Sequence, residues 1–413
     1  MAERRVVVTG VGVLACNGND VAEFWDACKA GRHGVGPITS FDTSEFITKF
    51  AGEVKVSTLD LADGDARLAR RKDRFVLLSL RAAAEAMAQS GLDYANWADP
   101  FRVGTVVGAG VGGLITIEEQ SAVMAERGPR RVSPYLIPKM IVDSSAGDIS
   151  IQYGAKGPNY SITTACATAT HCMGSAFQHI KWGHTDVMIT GGCEAPITPL
   201  GIAGFNNIKA LSTRNDDPDT ASRPFDKDRD GFVIAEGAGI LIFEEYEHAK
   251  ARGADIICEV VGYACTGDAF HETQPDPDGT AGRRCMELAV ESAGIDASQL
   301  GYINAHGTST HFNDKTESAI IAQVFGDKIA VSSTKSMTGH TLGAAGGIEG
   351  IATALALREG ILPPTINYQT PDPECPLDYV PNEAREQVVD YALSNNLGFG
   401  GHNASIIFKR FTG

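Results

Sequence analysis

The chain has 413 residues, 43% hydrophobic and 21% charged, an ordinary globular composition in a chain too long for one core. Its net charge of −16 argues against non-specific binding to nucleic acid, and no apolar run reaches the ~20 residues that cross a bilayer. The nine cysteines, an odd number with no zinc spacing and no Cys-x-x-Cys pair, imply small buried thiols in a reducing compartment, the cytoplasm.

From the N-terminus, Arg5–Val13 reads as a strand, rich in valine and ended by glycines. Arginines ahead of an apolar stretch in Met1–Cys16 superficially resemble an export signal, but the strand accounts for the same residues. A helix is expected over Asp20–Ala30. Strand–helix pairs recur at Tyr160–Thr164 with Ala167–Trp182 and at Ile329–Ser333 with Gly343–Arg358, which predicts α/β layering. Two short echoes point to an internal duplication. Gly12–Asp20 resembles Gly262–Asp268, and Val103–Gly110 resembles Leu300–Gly307. The join then falls near Glu247–Ile256, dividing the chain into 1–255, with the larger insertions, and 256–413.

Thr163–Cys172, "TTACATATHC", places Cys166 where a strand-like segment becomes a helix. Ala169, Cys172, Met173, Ala176, Phe177 and Ile180 follow the stripe of an amphipathic helix, and Gly183 ends it. A thiol at a helix N-terminus meets free N–H groups and a positive dipole end, which favour a reactive thiolate. The same position also suits a buried packing cysteine. His171 lies roughly 140° round the helix from Cys166 and is not expected to face it. With His179 and His184, it reads as structural or exposed.

"YINAHGTSTHFND", Tyr302–Asp314, reads as a buried strand ending at His306 and Gly307. "VSSTKSMTGHTLGAAGGIEG", Val331–Gly350, repeats the design, with Lys335 and His340 after the strand and a small-residue helix that permits close packing. Ligands gather at such strand ends in open α/β sheets. Each histidine could equally be structural. A Cys/His/His zinc site is compatible with composition, but the spacing is wide and no acidic ligand is evident. Near the C-terminus, glycines flank Phe399 in "GFGG", which suits either a mobile segment close to a ligand or a tight hairpin.

These motifs, in this order, resemble those of the β-ketoacyl-acyl carrier protein synthases, most closely the elongating enzymes of fatty acid synthesis. The resemblance runs from Arg4 to Arg410 and includes "LSTRND", Leu211–Asp216, and "SRPFDKDRDGFV", Ser222–Val233. It implies a thiolase-like duplicated α/β fold in five layers, αβαβα, assembled as a homodimer. It also implies a decarboxylative condensation in which Cys166 carries the acyl chain as a thioester. His306 and His340 would hold the enolate of the malonyl partner. The N–H groups of Cys166 and Phe399 would form the oxyanion hole. Lys335 would hold the histidine region, with Glu349 as its counterion.

By the same resemblance, Thr308 and Thr310 contact the pantetheine arm, Phe399 is a gate residue, Gly400 contacts the substrate, and Val111 and Phe205 line the acyl pocket. No metal or cofactor is implied, because the substrates ride on the phosphopantetheine of acyl carrier protein. Ala169 and His402 depart from what many relatives carry, which leaves the chain-length preference open. A carrier partner is acidic, so docking needs a local positive patch on this acidic chain. Arg67, Arg70, Arg71, Lys72 and Arg74 supply one candidate, Arg130 and Arg131 another, although a solvated helix face would look the same. Two other readings remain: a different Cys/His acyl enzyme, such as a thiolase or cysteine hydrolase, and a polyketide ketosynthase.

Overall fold

The valine-rich start of the chain forms β1 (Val6–Leu14), in which all nine residues are buried. A strand covered on both faces reads as a continuous apolar run, and this one does. In the computed structural model, which describes residues 4–413, β1 lies at the middle of a ten-stranded sheet. Its first-half companions are β2 (Val103–Gly108), β3 (Asn159–Tyr160), β4 (Val187–Glu194) and β5 (Gly237–Glu245). The second half supplies β6 (Cys258–Gly267), β7 (Leu300–Asn304), β8 (Ala330–Ser332), β9 (Tyr391–Gly398) and β10 (His402–Arg410).

Outward from the middle, the first half runs β1-β5-β4-β2-β3 and the second β6-β10-β9-β7-β8. The senses match as well: two antiparallel pairings, then two parallel ones, in each half. The halves meet through a short antiparallel ladder in which Val6, Val7 and Val8 face Val260, Glu259 and Cys258. Both sequence echoes begin on strands that hold the same place in the two halves: β1 with β6, and β2 with β7.

Helices complete the layers of a thiolase-like fold. On the outer faces, α1 (Arg74–Ser90) packs against β1 and β5, and α3 (Thr280–Ala293) against β6 and β10. Asp73 caps α1 by accepting the N–H of Phe75, and Gly91 ends it at φ 65°. Between the two half-sheets lie α2 (Thr168–Lys181) and α4 (Ala345–Glu359), each touching strands of both.

The run Ala345–Leu357 is buried on every face, as expected of a helix that is apolar all round except for Glu349 and Thr353. Its glycines permit the approach. A Cβ on Gly347 would stand 2.4 Å from the carbonyl oxygen of Gly239 in β5. The strand expected over Tyr160–Thr164 is shorter than the sequence indicated. It pairs only over Asn159–Tyr160, because the following residues bend toward the site, where Thr163 Oγ1 donates to the Ala109 carbonyl.

Candidate active site

Cys166 sits in a turn, Ala165–Ala167, that runs directly into α2. Ala165 holds a left-handed φ of 48°, unusual without glycine. Similar residues stand beside both histidines: Ser309 at φ 68° and Leu342 at φ 47°. Strain of this kind persists where surrounding structure imposes it, and here it accompanies all three candidate groups. Gly398 closes the turn from the other side. A Cβ there would lie 2.8 Å from the Thr164 carbonyl and 3.2 Å from the N–H of Cys166.

Burial decides the ionisation of Cys166. Desolvation pushes its thiol up to about 12, while the charge of Lys335 and a hydrogen bond from the backbone N–H of Phe399 pull it down. The helix terminus alone suggested a more acidic thiol; in the folded protein removal from water outweighs it. Once the sulfur is negative, it faces the Phe399 N–H and, at 3.0 Å, Nε2 of His340.

The two imidazoles have defined tautomers. Nδ1 of His340 accepts the Leu342 N–H at 3.2 Å, so the remaining proton lies on Nε2. Nδ1 of His306 faces two donors, Lys335 Nζ at 3.3 Å and Asn396 Nδ2 at 3.4 Å, which again leaves the proton on Nε2. Burial first, and Lys335 second, hold both rings well below the ordinary imidazole value, so both are neutral. Their centroids are 5.4 Å apart and their planes nearly perpendicular at 86°. Cys166, His306 and His340 bring their functional atoms within 4.8 Å of one another.

Lys335 also donates to the His306 carbonyl at 2.6 Å and forms a buried ion pair with Glu349. Glu349 accepts from Asn396 at 2.7 Å. Asn396 and Glu317 are two residues the motifs did not reveal. Glu317 accepts the N–H groups of His306 and Gly307, each at 2.7 Å, and burial raises it to about 7. The Asn396 partners lie 47 and 90 residues away and the two N–H donors to Glu317 in the preceding turn, so only the "NN" of Asn395–Asn396 beside "GFGG" hinted at a polar network.

A cavity of about 390 Å³ opens onto Cys166, His306 and His340. Val111, Phe205, Thr308, Thr310 and Phe399 all line it. The hydroxyls of Thr308 and Thr310 lie 2.9 Å apart. Gly400 does not reach the wall: at φ 86° it is exposed, and its N–H donates to the Glu272 carbonyl. His171 is turned away, with Nδ1 3.0 Å from both Thr164 Oγ1 and the Ala167 carbonyl.

The basic cluster divides in two. Arg67, Arg70 and Arg71 are exposed around a surface hollow of about 670 Å³ that also includes Tyr135 and Lys139. The guanidinium of Arg71 stands 5.3 Å over the Tyr135 ring. Lys72 and Arg74 are instead bound within the chain. Lys72 pairs with Asp148 at 2.6 Å, and Arg74 grips Glu236 through two hydrogen bonds and reaches the Val54 and Val56 carbonyls. Arg130 and Arg131 are exposed in a short turn.

A thiol that can carry an acyl group, faced by two N–H donors that can hold an enolate oxygen, is what a thioester-condensing enzyme requires. On a thiolase-like fold, these features define the class. The chain belongs to the β-ketoacyl synthase family: the family's N-terminal domain matches residues 3–249 and its C-terminal domain residues 257–369.

Its relatives include proteins named 3-oxoacyl-[acyl-carrier-protein] synthase 2. The one from Synechocystis sp. is 49% identical over 100% of this chain and 99% of its own, and the one from Vibrio cholerae is 48% identical over 99% and 100%. Among solved structures, a β-ketoacyl synthase from Burkholderia phymatum superposes with a TM-score of 0.92 at 37% identity, over 99% of this chain and 100% of its own. A type II polyketide ketosynthase in complex with its acyl-carrier protein superposes at 0.91 and 36%, over the same shares.

Proposed function

We propose that the protein is a 3-oxoacyl-[acyl-carrier-protein] synthase that lengthens acyl chains by two carbons. The observation that carries this reading is the pair of Nε2–H donors, each fixed by donors on its Nδ1, converging with the sulfur of Cys166. Cys166 attacks the carrier-bound thioester, and its proton leaves with the pantetheine sulfur as the acyl group moves to Cys166. Malonyl carrier then loses carbon dioxide. The electron pair of the broken C–C bond becomes an enolate, whose oxygen takes hydrogen bonds from His306 and His340. The enolate carbon attacks the acyl-cysteine thioester, whose oxyanion meets the N–H groups of Cys166 and Phe399. Collapse releases a 3-oxoacyl carrier and expels the Cys166 sulfur as a thiolate, which takes a proton from water to restore the thiol.

The donor set supports a site that works without a metal. A histidine bound to a metal gives its outer N–H to an acceptor. Here the outer nitrogens face Lys335, Asn396 and the Leu342 N–H, all donors, so the inner nitrogens keep their protons.

Acyl carrier protein is the proposed partner, docking at Arg67, Arg70 and Arg71, with the exposed pair Arg130 and Arg131 as a second candidate contact. A homodimer is supported by the sheet's free edge at β3, where Tyr160 and the neighbouring Ile151, 81% exposed, leave apolar surface in water. Light scattering coupled to size exclusion tests it. All nine cysteines are unpaired, which supports a cytoplasmic location. No helix among the described residues is long and apolar enough to cross a membrane.

The deciding experiment incubates the protein with acyl carrier protein loaded with chains of different length and with malonyl carrier, and reads products by mass. A single two-carbon extension is expected. Absence of extension with every chain would overturn the reading, whereas repeated extension on one carrier would favour a polyketide ketosynthase, the class of one structural neighbour.

A further inference from the structure

Glu194 ends β4 and is fully buried, yet no cation partners it among the described residues. Its carboxylate is instead surrounded by backbone donors. Oε2 accepts the N–H groups of Gly110 at 2.7 Å and Gly343 at 3.0 Å, and Oε1 accepts that of Gly112 at 3.0 Å. The Val111 N–H lies 3.1 Å from one oxygen and 3.2 Å from the other.

These donors come from both halves of the chain. Gly110–Gly112 is the loop after β2 that carries Val111 to the cavity wall, and Gly343 follows Leu342, whose N–H sets the tautomer of His340. The junction admits no side chains. A Cβ on Gly343 would stand 2.3 Å from the Gly110 nitrogen and 2.7 Å from Glu194 Oε2. One carboxylate therefore joins the wall of the acyl site to the turn that aims an N–H donor at the sulfur.

We propose that Glu194 is a positioning residue that locks the Val111 wall to the His340 turn, and so couples the length of acyl chain accepted to the alignment of the decarboxylation donor. The inference rests on the condensing activity proposed above. Burial raises the Glu194 carboxyl to about 7 against the pull of its four backbone donors. The titratable groups near it are the thiols of Cys166 and Cys193, both pushed up by burial, and beyond the Gly343 turn the neutral His340. A protonated carboxyl would turn an O–H toward N–H groups and lose part of the clamp.

The test compares the parent enzyme with Glu194→Gln, which keeps the shape but replaces one acceptor oxygen with a donor. Three rates are read on each protein: acylation of Cys166 by short-chain carriers, acylation by long-chain carriers, and carbon dioxide release from malonyl carrier. Expected for Glu194→Gln are at least a fivefold change in the long-to-short acylation ratio and at least a tenfold loss of decarboxylation, with short-chain acylation changed less than twofold. Equal loss of all three rates, or no change in any, overturns the proposal.

Should the variant not fold, the parent alone decides: its long-to-short ratio should change by at least twofold between pH 8 and pH 6, and a constant ratio overturns the proposal. If the parent fails to extend any chain, it is the condensing activity that fails, and the two failures are thereby distinguished.

Discussion

Nζ of Lys335 lies 3.3 Å from Nδ1 of His306 and donates to the carbonyl oxygen of the same residue at 2.6 Å. A charged donor on Nδ1 forces the ring proton to Nε2, where the enolate would form, so Lys335 serves the chemistry through His306 rather than through substrate. Lys335→Met should therefore lower malonyl decarboxylation. It also strands Glu349 as a buried charge, which costs roughly 3–5 kcal/mol when one partner of a buried pair is removed. Urea unfolding measures the second effect and carbon dioxide release the first.

Cys166 and the histidines should separate by step. Cys166→Ala is expected to abolish acyl transfer, seen as loss of the acyl-enzyme mass, because no other thiol faces the cavity. His306→Ala should leave the acyl-enzyme forming but slow decarboxylation roughly 10²–10³-fold, the usual effect of removing one preorganised donor. Condensation retained in Cys166→Ala would remove the assignment of the nucleophile.

Arg67→Glu combined with Arg71→Glu should raise KM for acyl carrier protein with little change in kcat, and the difference should shrink at high salt. An unchanged KM for both carrier substrates would rule this surface out. Arg74→Glu should behave differently, lowering the melting temperature, because its half-buried contacts are with Glu236 and the Val54 and Val56 carbonyls rather than with a partner.

The two site histidines should weigh against stability in mild acid, while Glu194 and Glu317, which burial raises to about 7, take up protons in the folded state and weigh the other way. His306 and His340 are held well below 6.5 in the folded protein, chiefly by burial, whereas the unfolded chain protonates both near 6.5. At these two rings the unfolded state binds more protons below that pH, so their contribution favours unfolding as pH drops. Between pH 7.5 and 5.5 each ring accounts for a loss of about 1.4 kcal/mol. His340→Asn removes one such contribution, so its stability change over the same interval should be more favourable than the parent's by about that much, as measured by urea unfolding at both pH values.

Much of the fold was legible because its signals are local. The Val-rich run read as Arg5–Val13 is β1 at Val6–Leu14, and the apolar stripe after Cys166 is the buried face of α2. The strand expected to Thr164 was overextended, because Ser161–Thr164 has strand-like residues but no neighbour to pair with. Lys72 and Arg74 looked equivalent to Arg67 and Arg71 when charge was counted along the chain. Asp148 and Glu236, 76 and 162 residues away, take them out of the patch.

Residue types and their order determined the chemistry available: one cysteine at a helix start, a histidine after each of two strands, and a glycine-flanked phenylalanine. Only the tertiary structure decided their states. Burial made the Cys166 thiol less acidic than its helix position suggested, and Lys335, Asn396 and the Leu342 N–H chose the tautomers. Glu194 drew Gly343, and Glu317 drew Asn395, from distant segments. Desolvation and hydrogen bonding act through space over a few ångströms, and spacing along the chain carries no record of which distant donors will arrive there.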